Sequence, residues 1–166
     1  PKLVPLTHTQ LGIGAICVAS TLHLKRSSLA INVMPLFHLH GLMVNVLTSA
    51  SAGAAVLCAP RFDPPLFFRW LLPVFSDNKI QSRAAPNWYS AVPTIHQEVL
   101  RYAELRRDED GSCPVHSLKL IRNCSAALAP SIGARLEAAL PGAIVVTTYA
   151  MTEALPICSN PVGNMR

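Results

Sequence analysis

Long and short apolar segments alternate along the chain, and their pattern predicts helices and strands in turn. Helices are predicted for five longer segments: Thr7–Ser20, Leu42–Ala50, Pro64–Phe75, Thr94–Arg106 and Pro130–Leu140. Strands are predicted for five short, continuous apolar runs: Leu29–Met34, Ala54–Cys58, Trp88–Val92, Leu118–Cys124 and Ala143–Thr148. The densest group of charges, Arg106–Asp110, is predicted to form a solvated loop.

This alternation predicts an α/β fold. Helices of about ten residues between strands imply β-α-β crossovers and a mostly parallel sheet. The strands are apolar throughout, without polar residues at every second position, which is typical of a sheet covered by helices on both faces. The 166 residues are enough for one such domain or for part of a larger one.

Charged residues are scarce, which raises the question of a membrane span. Asp, Glu, Lys and Arg form 14% of the chain, against about 25% in ordinary soluble domains, and none lies between Ser27 and Pro60. That segment is longer than the ~20 apolar residues of a spanning helix, but Pro35 and the polar stretch Thr48–Gly53 interrupt it. We therefore expect a buried strand, a loop and a buried helix there, and no membrane span.

The remaining composition argues against several functions. The net charge of +5 is spread along the chain without a basic stripe, so no nucleic-acid partner is expected. The five cysteines form no Cys-x-x-Cys pair, which favours free thiols in a reducing compartment such as the cytoplasm over a zinc site or a disulfide scaffold. The chain starts at Pro1 without an initiator Met or a signal peptide, so it is expected to begin inside a longer polypeptide.

Two local patterns suggest sites but lack the context that their chemistry needs. Gly12 and Gly14 begin like a dinucleotide-binding loop, yet no strand precedes them, and no Gly-x-Ser-x-Gly nucleophile elbow occurs. His38 and His40 could bind a metal ion, but a third ligand is not evident. Because the two histidines follow a predicted strand and precede Gly41, they fit better at the carboxyl edge of the sheet, where open α/β sheets bind ligands.

Polar or small residues follow two of the predicted strands. Tyr149, Thr152 and Glu153 come after the strand that ends at Thr148, and the Ser125–Ala127 turn follows another strand. At one sheet edge, an aromatic ring, a hydroxyl and a carboxylate can stack on a base, contact a phosphate and hold a hard cation. A polar turn without function is the alternative, and the residues alone leave both readings open.

Several segments resemble motifs of the adenylate-forming superfamily, which includes acyl- and aryl-CoA synthetases, luciferases and the adenylation domains of peptide synthetases. Tyr-Ala-Met-Thr-Glu at 149–153 resembles its Tyr-Gly-x-Thr-Glu motif, and 35–41 resembles its Pro-x-x-His-x-x-Gly region in the Phe-His-x-His-Gly variant. Pro1 and Lys2 resemble the tail of its phosphate-binding loop, with Leu3 in place of glycine. Together with 88–97 and 124–130, these segments resemble the oxalate–CoA ligase group.

The resemblance implies a ligase that uses ATP and Mg²⁺ to activate a small carboxylic acid as an acyl-adenylate and then transfers the acyl group to CoA. It implies that Thr152 and Glu153 act in catalysis, with Glu153 as the Mg²⁺ ligand. It implies that the acid contacts His38, His40 and Ser125. Contacts with ATP are implied for Lys2, Ser125, Ala126, Ala127, Tyr149, Ala150, Met151 and Thr152.

Two features set this chain apart from the family pattern. The oxalate-type group has a histidine where this chain has Pro156, which argues against oxalate itself. The resemblance also implies that residues 1–166 are the central part of an AMP-binding domain, without the start of the phosphate loop and without the C-terminal domain. Such a piece is expected to be inactive alone, while its parent could lie in the cytoplasm or a peroxisome. The alternative is a truncated, non-catalytic protein that acts only by association.

Overall fold

The computed structural model describes residues 3–72, 84–110 and 113–163, with the side chains of 107–110 left aside. Six strands form one sheet in the order β2-β1-β3-β4-β5-β6: β1 Leu29–Asn32, β2 Ala55–Cys58, β3 Trp88–Ala91, β4 Leu120–Asn123, β5 Ile144–Met151 and β6 Ala154–Ser159. The first five strands are parallel, and β6 pairs antiparallel with β5. The predicted α/β fold with a mostly parallel sheet is confirmed.

Helices connect the strands in the described ranges: α1 His8–Thr21, a π-helix His40–Leu47, α2 Thr48–Ser51, α3 Pro64–Leu71, α4 Pro93–Asp110 and α5 Pro130–Ala139. Thr7 caps α1, since its hydroxyl accepts from the Gln10 N–H at 3.1 Å while the Gln10 side chain accepts from the Thr7 N–H at 2.8 Å. Asp63 caps α3, since its Oδ1 accepts from the Leu66 N–H at 2.9 Å. Within the described ranges, no helix has the length and apolar character needed to cross a membrane.

Some predicted helix ends are wrong. The loop predicted for Arg106–Asp110 is the last part of α4, because this stretch contains no Gly or Pro and is rich in residues that tolerate or favour a helix. The helix predicted to reach Phe75 ends at Leu71, and Phe75 itself lies outside the described residues. The helix predicted from Leu42 begins two residues earlier, at His40, as a π-helix.

The polar turn predicted to follow Thr148 lies further along the chain. Residues up to Met151 continue β5, the chain turns at Thr152 and Glu153, and β6 then returns beside β5. β-branched and aromatic residues at the end of β5 favour the strand, and pairing with β6 gives their backbone a hydrogen-bonding partner. The sequence analysis missed this hairpin, which becomes one wall of the site.

Apolar side chains pack on both faces of the sheet, as the continuous apolar strands predict. In β3, Tyr89 lies in a core cluster with Phe67 and Leu136, whereas its neighbour Trp88 lies in a second cluster with Met43. The rings of Phe67 and Tyr89 meet edge to face, with centroids 5.1 Å apart. Every residue of β3 and β4 is buried, so the centre of the sheet is a firm support for the residues at its edge.

The first helix packs against the last strand of the described chain. Thr21 Oγ1 lies 3.3 Å from Ser159 Oγ, and the Val162 N–H donates to the Thr21 carbonyl at 3.0 Å. A Cβ atom at Gly14 would clash with the backbone oxygen of Leu155, so only glycine permits this approach. Helix α1 and the β5–β6 hairpin therefore form one continuous side of the molecule.

Candidate active site at the carboxyl edge of the sheet

The carboxyl ends of β3, β4 and β5 lie side by side, because their register aligns Ala91 with Asn123 and Asn123 with Thr147. The turn after β4 therefore faces the end of β5. Ser125 in this turn has a φ of +73°, in the left-handed region that few non-glycine residues adopt. Asn123 Nδ2 donates to the Ala126 carbonyl at 2.8 Å, which fixes the shape of the turn.

A cleft of about 510 Å³ opens between this turn and the end of β5, and we call it the Ser125 cleft. Tyr149 is 65% exposed, so a planar ligand can reach its ring. Cys158 and Asn160 line the same cleft, and the sequence analysis missed them because it did not predict β6. Five residues of the predicted site come together here: Ser125, Ala126, Ala127, Tyr149 and Ala150.

The structure puts the predicted catalytic pair elsewhere. Thr152 and Glu153 form the turn between β5 and β6, and they line a second cleft of about 330 Å³ against α1, which we call the Glu153 cleft. Pro156, the residue that departs from the oxalate-type pattern, lines this cleft too. Both turn side chains are exposed. Met151 lines neither of the two clefts, and Lys2 lies outside the described residues.

His40 connects the protein core with the Ser125 cleft. Its side chain is buried, with Nδ1 at 3.1 Å from Ser125 Oγ and Nε2 at 2.7 Å from Ser90 Oγ. His38 is exposed, and its Nδ1 accepts a hydrogen bond from the His40 N–H at 3.0 Å. A Cβ atom at Gly41 would clash with the Pro35 carbonyl, so glycine allows the π-helix to start this close to the preceding loop. His40 therefore contacts Ser125 directly, and His38 contacts the backbone of His40; neither histidine lines the Ser125 cleft or the Glu153 cleft.

A buried arginine lies behind His40. Arg122, on β4, is fully buried, and its Nη1 donates to Ser90 Oγ at 3.2 Å. Its Nε and Nη2 have no hydrogen-bond partner among the described residues. Burial lowers the pKa of His40 from 6.5 to about 3, and the charge of Arg122 acts in the same direction. Burial also lowers the pKa of Arg122, yet a guanidinium keeps its proton in proteins, so a charged arginine stands behind a neutral histidine.

Ser90 and Arg122 are site residues that the sequence patterns above do not predict. Each is a polar residue in the middle of a predicted buried strand, which is the signal that could have identified them. The same signal applies to Asn32 at the end of β1, whose Oδ1 accepts from Asn45 Nδ2 at 2.6 Å. A buried polar residue in an apolar strand needs a partner, and here the partners converge beneath the sheet edge.

A second buried histidine serves the fold. Tyr89 Oη donates to His96 Nδ1 at 3.0 Å, and His96 Nε2 donates to the Ala91 carbonyl at 3.0 Å. Burial lowers the pKa of His96 to about 4 and raises that of Tyr89. Neither side chain lines the Ser125 cleft or the Glu153 cleft, so this pair holds the end of β3 to the start of α4.

Metal binding by the two histidines does not fit the geometry. Both ring nitrogens of His40 lie at hydrogen-bonding distance from serine hydroxyls. In residues 3–72, 84–110 and 113–163, no three His, Cys, Asp or Glu side chains are grouped to hold a metal ion. Glu153 offers a single exposed carboxylate. Mg²⁺ is commonly held by one or two carboxylates together with substrate phosphates, so Glu153 fits a Mg²⁺ ion that binds with ATP.

Comparison with known proteins identifies the family. A profile described as AMP-binding enzyme matches residues 1–166. The chain belongs to the AMP-binding enzyme family. An oxalate–CoA ligase of Arabidopsis thaliana is 42% identical over 166 residues, covering 98% of this chain and 29% of the relative. An oxalate–CoA ligase of Saccharomyces cerevisiae is 34% identical over 154 residues, covering 93% and 25%. The chain therefore spans less than a third of the length of these relatives.

Solved structures share the fold of this chain. A malonyl-CoA ligase in a ternary product complex with methylmalonyl-CoA and AMP has a TM-score of 0.81 and 24% identity, covering 100% of this chain and 33% of that one. ATP-bound MatB from Rhodopseudomonas palustris has a TM-score of 0.77 and 24% identity, covering 97% and 28%. The predicted resemblance to adenylate-forming enzymes, and to oxalate–CoA ligases among them, is confirmed.

Proposed function

We propose that the protein containing this chain is an acid–CoA ligase, which activates a small carboxylic acid with ATP and then transfers the acyl group to CoA. The Ser125 cleft carries this proposal, because a turn of small residues faces an exposed aromatic ring at the carboxyl edge of a parallel sheet. The names of relatives, which include oxalate–CoA and sulfoacetate–CoA ligases, support the same reaction class. We infer that residues 1–166 are the central part of the AMP-binding domain, and that the start of the phosphate loop and the C-terminal domain lie outside them.

ATP is proposed to bind in the Ser125 cleft. The exposed ring of Tyr149 suits stacking on adenine, and the small side chains of Ser125–Ala127 allow the nucleotide to approach the backbone. The end of β5 at Ala150 and Met151 then leads the nucleotide toward the turn at Thr152. Lys2 would add a point charge for a phosphate group.

The phosphates are proposed to reach the Glu153 cleft. The Thr152 hydroxyl is exposed and can donate to a phosphate oxygen. Glu153 would hold Mg²⁺, which when bound offsets the negative charge that grows on the α-phosphate. In the described part of the chain no side-chain hydrogen bond or ion pair engages either residue, so both are open to a ligand.

The acid is proposed to lie beside His38, His40 and Ser125. One oxygen of its carboxylate attacks the α-phosphorus of ATP, the bond to the bridging oxygen breaks, and pyrophosphate leaves. The CoA thiol then loses its proton and attacks the acyl carbon, and AMP leaves with the electrons of the broken bond. Hydrogen-bond donors beside the carboxylate orient it for the first step. We propose a small, oxalate-like acid; Pro156, which replaces a histidine of the oxalate-type group, argues against oxalate itself.

Exchange of radioactive pyrophosphate into ATP tests this function with the full-length protein and a panel of small carboxylic acids. Exchange that depends on one of the acids, followed by formation of its CoA ester on mass spectra, is the expected result. A folded protein that shows no exchange with any acid in the panel would contradict the ligase and favour the non-catalytic alternative.

We also propose a cytoplasmic location, with the peroxisome as the alternative for the full-length protein. All five cysteines are free thiols, which suits a reducing compartment. Fluorescence microscopy of the full-length protein separates the two locations. One sample carries the fluorescent tag at the N-terminus and a second carries it at the C-terminus, so that each terminus is free in one of them.

A further inference from the structure

A chain of hydrogen bonds runs from a buried charge to the surface of the Ser125 cleft. It starts at Arg122 Nη1, which lies 3.2 Å from Ser90 Oγ. Ser90 Oγ lies 2.7 Å from His40 Nε2, and His40 Nδ1 lies 3.1 Å from Ser125 Oγ. The first three side chains are buried and Ser125 is exposed. The chain therefore links the interior of the sheet to the position where the acid is proposed to bind.

The direction of these hydrogen bonds follows from the chemistry of the first member. A guanidinium can only donate, so Ser90 Oγ accepts from Arg122. Ser90 is completely buried, and among the described residues its Oγ has one other partner, His40 Nε2. If His40 Nε2 carried the proton, the Ser90 hydroxyl proton would be buried without an acceptor, which is unfavourable. Ser90 therefore donates to His40 Nε2.

The same logic continues through the imidazole. Burial keeps His40 neutral at physiological pH, and a neutral ring that accepts at Nε2 carries its proton on Nδ1. His40 Nδ1 then donates to Ser125 Oγ. The hydroxyl of Ser125 can then donate its proton to a ligand in the cleft. With the imidazole proton on Nε2, Ser125 would instead donate to His40 Nδ1 and could not donate to the ligand.

We propose that Ser90 and Arg122 are positioning residues, which set the direction of hydrogen bonds through His40 so that Ser125 presents a donor to an acceptor oxygen in the cleft. This arrangement favours a ligand with an acceptor oxygen, such as a carboxylate, over an ammonium group, which can only donate. The proposal rests on the proposed function only for the identity of that ligand as the acid substrate. The tautomer of His40 does not depend on the proposed function.

Nitrogen NMR of the full-length protein with ¹⁵N-labelled histidine tests the direction at neutral pH, since the shifts of the two ring nitrogens report which one carries the proton. We expect the Nδ1–H tautomer of His40 in the wild type and a mixture of tautomers in Ser90→Ala. Ser90→Thr keeps the hydroxyl and should restore the wild-type spectrum. Ser49→Ala is the matched control, because Ser49 is also a buried serine whose Oγ donates to a backbone carbonyl, that of Asn45.

The kinetic test separates positioning from a general loss of structure. Ser90→Ala should raise KM for the acid by about five- to tenfold, the cost of one misdirected hydrogen bond, while KM for ATP stays within about twofold. Ser90→Thr should recover most of the lost affinity, and Ser49→Ala should change neither KM. Arg122→Met should change KM in the same direction as Ser90→Ala, provided that its circular dichroism spectrum and melting curve match those of the wild type.

Two results would overturn the proposal. One is an Nε2–H tautomer of His40 in the wild type. The other is a His40 spectrum that Ser90→Ala leaves unchanged. Neither depends on enzymatic activity, so a protein that shows the expected tautomers but no pyrophosphate exchange would contradict the proposed function and leave the direction of the hydrogen bonds confirmed.

Discussion

The two clefts at the sheet edge differ in what lies behind them. The Ser125 cleft rests on buried, hydrogen-bonded side chains, of which His40 contacts Ser125 in the lining of the cleft. The Glu153 cleft is formed by an exposed two-residue turn, and no side-chain hydrogen bond holds Thr152 or Glu153 in the described part of the chain. The first cleft has its polar groups in place before a ligand binds, whereas the second needs the ligand to order them. A prearranged site suits recognition of the acid, and an open one suits a metal ion that binds with ATP.

The largest expected effect is a loss of stability in acid, and it arises from buried histidine side chains. His40 and His96 have pKa values of about 3 and about 4 in the folded protein, against about 6.5 when unfolded. Their contribution to the free energy of unfolding is complete above pH 6.5 and is lost as the pH falls, because the unfolded chain then binds protons more readily than the folded protein does. At pH 5 each histidine should lower the free energy of unfolding by about 2 kcal/mol.

Urea unfolding at neutral pH and in mild acid measures this loss. His40→Gln replaces the imidazole with a side chain that does not titrate, and it should remove a large share of the pH dependence. His96→Gln should remove a similar share. An undiminished pH dependence in both variants would show that buried histidines are not its source.

The next largest effect concerns the Glu153 cleft. Glu153→Ala should reduce pyrophosphate exchange by about 10²- to 10³-fold, as the loss of one electrostatic element typically does, with little change in stability because the side chain is exposed. Glu98→Ala is the control, since Glu98 is an exposed glutamate paired with Arg101 on α4. Exchange that is equal in both variants would remove Glu153 from the mechanism.

Two glycine variants compare packing near the Ser125 cleft with packing elsewhere. Gly41→Ala should destabilise the protein by about 2 kcal/mol, because the new Cβ would clash with the Pro35 and Met34 carbonyls. Gly12→Ala should instead stabilise it slightly, since nothing lies within 4 Å of a Cβ atom there and alanine favours the helix. Thermal melting of both variants should therefore show shifts of opposite sign.

The smallest expected effect is on ATP binding. Tyr149→Ala should raise KM for ATP about fivefold through loss of the exposed ring, and Tyr149→Phe should stay near the wild type because it keeps the ring. Equal KM values for all three proteins would place adenine away from the Ser125 cleft.

The sequence predicts most of the sheet because its central strands are continuous apolar runs. The same apolar signal fails at β6, where Pro156 and the residues around Cys158 are partly exposed and give no clear pattern. It also fails at Arg106–Asp110, where charge suggests a loop although the helix continues. In both cases pairing or intrinsic helix propensity outweighs the polarity on which the prediction depends.

The candidate site is predictable to a similar degree. Motif residues such as Ser125 and Tyr149 follow predicted strands, so their meeting at one edge follows from a parallel sheet. The separation of Glu153 from Ser125 does not follow, because it depends on the unpredicted hairpin. Ser90 lies in a segment that carries the family resemblance and Arg122 lies in none, and only the three-dimensional structure shows that both stand behind His40.

The contact between α1 and β6 has a consequence for synthesis of the chain. Thr21 and Ser159 lie 138 positions apart, so α1 leaves the ribosome long before the strand that covers it. At about 5–20 residues per second the delay is on the order of 7–30 s. During that time we expect the face of α1 that receives Leu155 to be open to proteases and chaperones. Limited proteolysis of ribosome-bound chains of increasing length should show cleavage within α1 until β6 has emerged, and early protection would contradict this order.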